Sequence, residues 1–277
     1  MKRCILAVSG GVDSVVLLDM LSKQLGLELI VAHFDHGIRG DSVQDAIFVE
    51  NLAKKYKLPY VSKREELGAS ASEELARDRR YEFLRLVARK YDSILVTAHH
   101  SDDVVETIAI NLIRGTGWRG LAVLDSDIYR PLTNMTKSEI IKYAKKHHLV
   151  WREDSTNQSS DYLRNRIRLK TMKLDDDTKR QLLGLWSEQK AVKLLIDNEV
   201  SKLVKKDNNY SRYFFTHLDL STGIEFLRYI VDARLTRPQL INVLHAIKTM
   251  QSKKSYIAGN GVKISFTPRN FTVELIK

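Results

Sequence analysis

Residues 4–14 read Cys4-Ile5-Leu6-Ala7-Val8-Ser9-Gly10-Gly11-Val12-Asp13-Ser14, and the helical apolar period follows at once. An unbroken apolar run of this length predicts a strand buried on both faces, as in a parallel sheet. The two glycines let the chain turn sharply, so consecutive backbone N–H groups point at one place. The helix that follows adds partial positive charge at its first turn. Strand, turn and helix together predict an anion cradle fit for phosphates, with Ser9 and Ser14 as hydroxyl donors. Asp13 is out of place beside phosphates unless it serves a cation, so Mg²⁺ bridging to a nucleotide is the expected use. The loop is not a Walker motif, because it lacks the Gly-Lys-Ser/Thr ending whose lysine holds the outer phosphates.

Outward from this stretch the same alternation repeats. Strand-like runs occupy residues 28–34, 60–62 and 93–98, and helical patterns occupy 14–24, 41–56, 72–91 and 102–114. Strand followed by helix, repeated, predicts a parallel sheet covered on both faces. Ligands bind such sheets beyond the carboxyl ends of the strands. Ser9, His33 and His99 each begin a polar motif at such an end, which predicts one shared site. Further on, a helix is expected over 137–147, a charged linker over 173–179 and a long helix over 180–205.

From about residue 208 the pattern predicts a small α+β domain. It has helices over 221–233 and 237–250, then a hairpin with strands 262–266 and 271–276 and its turn at Gly259-Asn260-Gly261. Lys and Arg outnumber acids here, among them Arg212, Lys248, Lys253, Lys254 and Arg269, with Tyr210, Tyr213, Phe214 and Phe215 nearby. Basic and aromatic residues together suit an RNA-binding module, and equally a basic surface over an aromatic core. The whole chain has 277 residues, with 45 Lys and Arg against 34 Asp and Glu, a formal net charge of +11. Such an excess favours polyanionic partners. One cysteine, Cys4, excludes an internal disulfide framework. No apolar run approaches bilayer length, and the N-terminal run is too short for a signal peptide, so a cytoplasmic location with no membrane contact is expected.

The hexapeptide at residues 9–14 in its strand–loop–helix setting resembles the pyrophosphate loop of the PP-loop ATP pyrophosphatases. Four further stretches narrow the resemblance: His33-Phe34-Asp35-His36-Gly37-Ile38-Arg39, Ala76-Arg77-Asp78-Arg79-Arg80-Tyr81, Ala98-His99-His100-Ser101-Asp102-Asp103-Val104-Val105-Glu106-Thr107, and Asn111-Leu112-Ile113-Arg114-Gly115-Thr116-Gly117-Trp118-Arg119-Gly120-Leu121. With Asp154-Ser155-Thr156-Asn157 and Arg164-Asn165-Arg166-Ile167-Arg168 they are similar to the tRNA(Ile)-lysidine synthetase family. Each has a bland reading alone: finished strands for the histidines, solvated helix faces for Arg77 with Arg80 and for Asp103 with Glu106. Their combination carries the likeness.

The resemblance implies an α/β, Rossmann-like PP-loop domain of the adenine nucleotide alpha hydrolase type over 1–175, a linker or long helix over 176–207, and a smaller basic α+β tRNA-binding domain over 208–277. It implies ATP and Mg²⁺ as cofactors, and L-lysine and tRNA(Ile) with a CAU anticodon as partners. Homodimerisation is left open. The wobble cytidine would be adenylated at its carbon-2 oxygen, and lysine would then displace AMP. ATP or pyrophosphate would be held by Ser9, Gly10, Gly11, Val12, Asp13, Ser14, His33, Asp35, His99, Arg114 and Gly115. Asp13 would place the metal, Arg77, Arg80 and Arg114 would offset phosphate charge, and Asp103 and Glu106 would take the lysine ammonium. Asp13, Arg77, Arg80, Asp103 and Glu106 are thus the expected catalytic set. Two departures stand out: Val104 occupies a position where the family commonly has glutamine, and the chain is expected to lack the further C-terminal domain of longer members. A tRNA thiolase, a small-molecule amidating ligase and a non-catalytic tRNA-binding protein remain alternatives.

Overall fold

The computed structural model describes residues 2–38, 42–68, 71–124, 126–152 and 163–276, without the side chains of 163–165. Arg39, the 154–157 motif and the side chains of Arg164 and Asn165 therefore lie outside the described residues. The chain divides into two compact units, Met1–Lys190 and Ala191–Lys277.

In the first unit the apolar run forms β1 (Lys2–Ala7), followed by α1 (Val12–Ser22), β2 (Leu27–Asp35), α2 (Ser42–Lys55), β3 (Tyr60–Arg64), α3 (Glu73–Lys90), β4 (Ile94–Val96) and α4 (Ser101–Ile113). The strands lie parallel in the order β3-β2-β1-β4, with Ile5 opposite Ile30 on one side and Leu95 on the other. Because successive side chains point to opposite faces, β1 feeds two cores. Cys4, Leu6 and Val8 pack with Val15 and Leu18 of α1 and Val49 and Leu52 of α2, while Ile5 packs with Phe83, Leu84 and Val87 of α3. Both faces are thus dry, which is why the run shows no polar alternation. The chain leaves β1 towards β2 and later returns to β1's other side as β4, so a crevice opens at the carboxyl ends of the strands.

Helix α5 (Lys137–Lys146) starts at Thr136, whose hydroxyl accepts the Glu139 N–H while the Glu139 carboxylate accepts the Thr136 N–H. Its Ile140 and Ala144 are fully buried in the core that holds α1. Tyr143 and Tyr56 both donate their hydroxyls to the buried Asp19 carboxylate, each at 2.8 Å, tying α5 and α2 to α1. Next come α6 (Leu163–Thr171) and α7 (Asp176–Leu203). The charged run expected as a linker over 173–179 is corrected here, since Asp175 accepts the Thr178 N–H at 2.7 Å and the helix begins at Asp176. An aspartate just ahead of a helix satisfies orphan N–H groups, so those charges mark a start rather than a spacer.

The second unit holds β5 (Asn209–Ser211), α8 (Arg212–His217), α9 (Leu220–Ile230), α10 (Arg237–Thr249), β6 (Ser255–Gly259), β7 (Val262–Phe266) and β8 (Asn270–Leu275). Its antiparallel sheet has the order β5-β8-β7-β6, the α+β class expected. The hairpin turn is corrected: Gly259-Asn260-Gly261 joins β6 to β7, not β7 to β8, and β6 is a strand that the sequence pattern does not predict. Tyr210 and Phe215 are buried with Phe271, whereas Tyr213 and Phe214 are exposed. The aromatic cluster is therefore part core and part surface.

Candidate functional site

The turn after β1 is held from several sides. Val8 N–H donates to the Ala32 carbonyl at 2.9 Å, and Arg152 N–H donates to the Gly10 carbonyl at 3.0 Å. Gly10 sits at φ +93°, where a side chain is strained, and a Cβ there would lie 3.3 Å from the Phe48 ring. The Ser14 hydroxyl accepts from Ser9 N–H and donates to the Gly11 carbonyl, with the Ser9 hydroxyl 3.3 Å away. Gly11 is the N-cap of α1 and, having no side chain, gives the first turn of that helix no side-chain cap. A glycine turn leading into a helix start of this kind is the geometry in which backbone N–H groups can receive an anion.

A cavity of about 450 Å³ opens beside it at the ends of β1, β2 and β4. Of the residues expected at the site, Ser9, Asp13, Ser14, His33, Asp35, Arg80, His99 and Asp103 line this cavity. Gly10, Gly11 and Val12 form the turn and the start of α1. The structure does not bring Arg77, Glu106, Arg114 or Gly115 to the cavity wall. Arg77 lies over the Tyr81 ring at 5.4 Å. Glu106 is buried within α4. Arg114 and Gly115 follow the far end of α4, about 20 Å along the axis from its first residue. Val104, where the resemblance leads one to expect glutamine, is fully buried against Ile108 and Val123, beside Trp186.

The electrostatics follow from burial. His33 is buried and donates from Nδ1 to the Val8 carbonyl at 2.8 Å, because a carbonyl can only accept. Its Nε2 has no hydrogen-bond partner among the described residues. Burial alone would push the Asp35 carboxyl up, but the Gly37 N–H, the Ser42 hydroxyl and Arg64 hold it below the usual range. Burial and the charge of Arg80 pull His36 down to about 4. Burial, opposed by Asp103 and helped by Arg130, Arg77 and Arg80, takes His99 to about 4 as well. Both imidazoles are neutral at pH 7. His99 Nδ1 shares a 2.8 Å hydrogen bond with the Thr97 hydroxyl.

Three cations that sequence reasoning missed complete the surroundings. Lys137 Nζ bonds both Asp13 oxygens, at 2.6 and 2.8 Å, and Lys179 Nζ reaches Asp102 at 3.1 Å. Arg152 pairs with Asp45, a cavity residue. One signal was available for Lys137: a cation in the first turn of a helix opposes the macrodipole, so something else must hold it there. Among the described residues no group of three or more His, Cys, Asp or Glu is placed to hold a metal. A magnesium ion at this site would therefore take Asp13 as its protein carboxylate and phosphate or water oxygens for the rest, a donor set that suits Mg²⁺.

A parallel sheet whose first strand ends in a glycine turn, an uncapped helix and a cavity at the strand ends defines a PP-loop domain. The PP-loop domain family model matches residues 1–174. Within that class, the chain belongs to the tRNA(Ile)-lysidine synthase family. It is 31% identical over 286 aligned residues to the tRNA(Ile)-lysidine synthase of Thermotoga sp. (strain RQ2), covering 96% of this chain and 69% of that protein. It is 32% identical over 271 residues to that of Rickettsia bellii (strain OSU 85-389), covering 92% and 61%. With the Lactobacillus johnsonii protein of the same name it shares 41% over 181 residues, covering 60% and 42%. The chain thus spans 61% of the length of the Rickettsia relative. A solved structure, the U34-tRNA thiolase NcsA from Methanococcus maripaludis with its [4Fe-4S] cluster, superposes with a TM-score of 0.58 at 18% identity, covering 69% of this chain and 72% of that one. That likeness is one of fold.

Proposed function

We propose that this chain ligates L-lysine to carbon 2 of the wobble cytidine in tRNA(Ile) with a CAU anticodon, consuming ATP. The observation that carries the reading is one cavity lined both by the phosphate turn, through Ser9, Asp13 and Ser14, and by the carboxylate of Asp103. In the first step the carbonyl oxygen of the cytosine attacks the inner phosphorus of ATP. Pyrophosphate leaves, and the base is adenylated. In the second step the side-chain amine of lysine adds at carbon 2 and AMP departs. Adenylation is needed because a carbonyl oxygen leaves poorly, whereas AMP leaves well.

The turn's N–H groups would hold the pyrophosphate portion, and Arg80 on the cavity wall would offset charge that develops on the phosphate. Mg²⁺ held through Asp13 would supply further charge neutralisation. Asp103 would recognise the lysine ammonium. Free lysine has a side-chain pKa of about 10.4, and a nearby carboxylate raises it, so binding alone opposes attack. The ammonium must therefore pass a proton to a base as it approaches carbon 2, and Asp103, one of the carboxylates on the cavity wall, would take it. Glu106, buried behind the wall on the same helix, would support Asp103 rather than touch the amine. The basic second unit, with exposed Lys248 and Arg269 and the exposed ring of Tyr213, would contact tRNA phosphates and bases. Residues 176–207 would connect the two parts, and a cytoplasmic location suits this chemistry. No helix among the described residues is long and apolar enough to cross a membrane.

A thiolase reading is disfavoured by the single cysteine, buried in β1, since sulfur transfer calls for accessible thiols or a cluster. The deciding experiment incubates tRNA(Ile) with the protein, ATP, Mg²⁺ and isotopically labelled lysine, and measures the mass of the digested nucleosides. A cytidine carrying the label is the expected product. Unchanged tRNA mass would sink the proposal.

A further inference from the structure

We infer that Lys137 is the phosphate-loop lysine of this site, delivered from α5 instead of from the loop itself. The loop has two needs that its own residues leave unmet. It lacks the lysine with which Walker loops hold outer phosphates, and it carries a carboxylate, Asp13, that repels them. Lys137 answers both. Its ammonium bonds each Asp13 oxygen, at 2.6 and 2.8 Å, and so neutralises the one acid in the turn. The pair is only partly exposed, 32% for the Lys137 side chain and 29% for Asp13.

The lysine is also held where an ordinary surface ion pair would not be. Its backbone N–H donates to Asp102 at 2.8 Å, Thr136 caps its helix, and Ile140, Tyr143 and Ala144 fix α5 against α1. A cation in this first turn opposes the helix dipole, and the Asp13 carboxylate offsets that cost. When pyrophosphate or a nucleotide enters the turn, the ammonium needs to shift only from the carboxylate to a phosphate oxygen. Asp13 is then released to a divalent cation. Lys137 is thus a charge relay between the free and occupied loop. This inference rests on the nucleotide-binding reading above.

The test is calorimetric titration with inorganic pyrophosphate, first in EDTA and then with Mg²⁺, each variant being checked by thermal unfolding. Wild-type protein is expected to bind in EDTA. K137M is expected to lose at least about tenfold in that affinity, the loss of one charge-assisted hydrogen bond, and K137R to retain most of it. D13N frees the ammonium, so it should bind pyrophosphate more tightly in EDTA and gain less from Mg²⁺ than wild type does. The double variant D13N/K137M leaves neither charge unpaired, which guards against misfolding, and should bind more weakly than D13N. Equal affinity of D13N and D13N/K137M would overturn the inference while leaving nucleotide binding intact. Absence of pyrophosphate binding by folded wild-type protein would overturn the nucleotide reading itself, and this inference with it.

Discussion

Adding one methyl group to each of the two adjacent glycines of the turn should give opposite results. Gly10 has φ +93°, and a Cβ there would stand 3.3 Å from the Phe48 ring. Left-handed backbone costs an alanine about 1–2 kcal/mol, and the tight contact adds to that, so Gly10→Ala should destabilise the first unit by roughly 1–3 kcal/mol. For a unit of this size each kcal/mol lowers Tm by about 2–4 °C. Gly11 has φ −71° and ψ 159°, and its Cβ would meet only the Ser9 hydroxyl, at 3.6 Å. Gly11→Ala should leave stability unchanged or raise it by about 0.4–1 kcal/mol, because the unfolded chain loses freedom. All three tryptophans, Trp118, Trp151 and Trp186, lie in the first unit, so denaturant unfolding followed by tryptophan fluorescence reports on the unit concerned. Pyrophosphate titration then separates the effects on binding. Gly10→Ala should weaken binding by tilting the N–H groups, whereas any loss in Gly11→Ala reports the methyl entering ligand space. Equal destabilisation by the two substitutions, or a larger cost at Gly11, would refute the conformational argument.

Histidine burial sets a pH dependence. His36 and His99 titrate near 4 in the folded chain and near 6.5 when unfolded. The unfolded state therefore takes up protons first as pH falls from about 6.5 towards 4, and stability declines across that window by up to roughly 3 kcal/mol per histidine. Urea unfolding at several pH values should show this slope, and His36→Asn should flatten it; an unchanged slope would count against the burial assignment. Val104→Gln should cost about 1–3 kcal/mol, because Val104 is fully buried among apolar groups, and chemical denaturation reads the loss. Asp103→Asn should abolish lysine incorporation while tRNA-dependent pyrophosphate release from ATP persists. Glu106→Gln should impair incorporation less than Asp103→Asn does, because Asp103 lines the cavity and Glu106 does not.

The sheet could be read from sequence because its central strands β1 and β2 are largely buried and so appear as apolar runs with few breaks, whereas the edge strand β3 is half-buried at Tyr60 and Val61 and exposed at Ser62, Lys63 and Arg64. The run over 28–34 became β2 (Leu27–Asp35), and the turn falls at Gly10, whose positive φ favours glycine. In the second unit β6 escaped notice because only Ala258 among its five residues is buried. A strand with so little burial shows no alternation, so the sequence pattern points the turn at β7 and β8 instead of β6 and β7. The site was readable wherever a motif follows a strand, as at Ser9, His33 and His99. It was not readable where tertiary packing alone supplies a partner. Lys137 lies 124 residues from Asp13, and no local period records that approach. Arg114 and Gly115 show the converse: proximity in sequence to Asp103 does not place them at the cavity, because a straight helix carries them away from it.

Cys4 is the single cysteine of the chain, buried in β1 between Leu29 and Ile94, and burial pushes its thiol pKa up. Such a sulfur is a poor nucleophile towards maleimides and disulfide reagents. The native protein is therefore nearly silent to thiol chemistry. A cysteine introduced on the exposed surface would be labelled almost alone, which opens the molecule to fluorophore, spin-label and crosslinking measurements with no prior removal of native thiols.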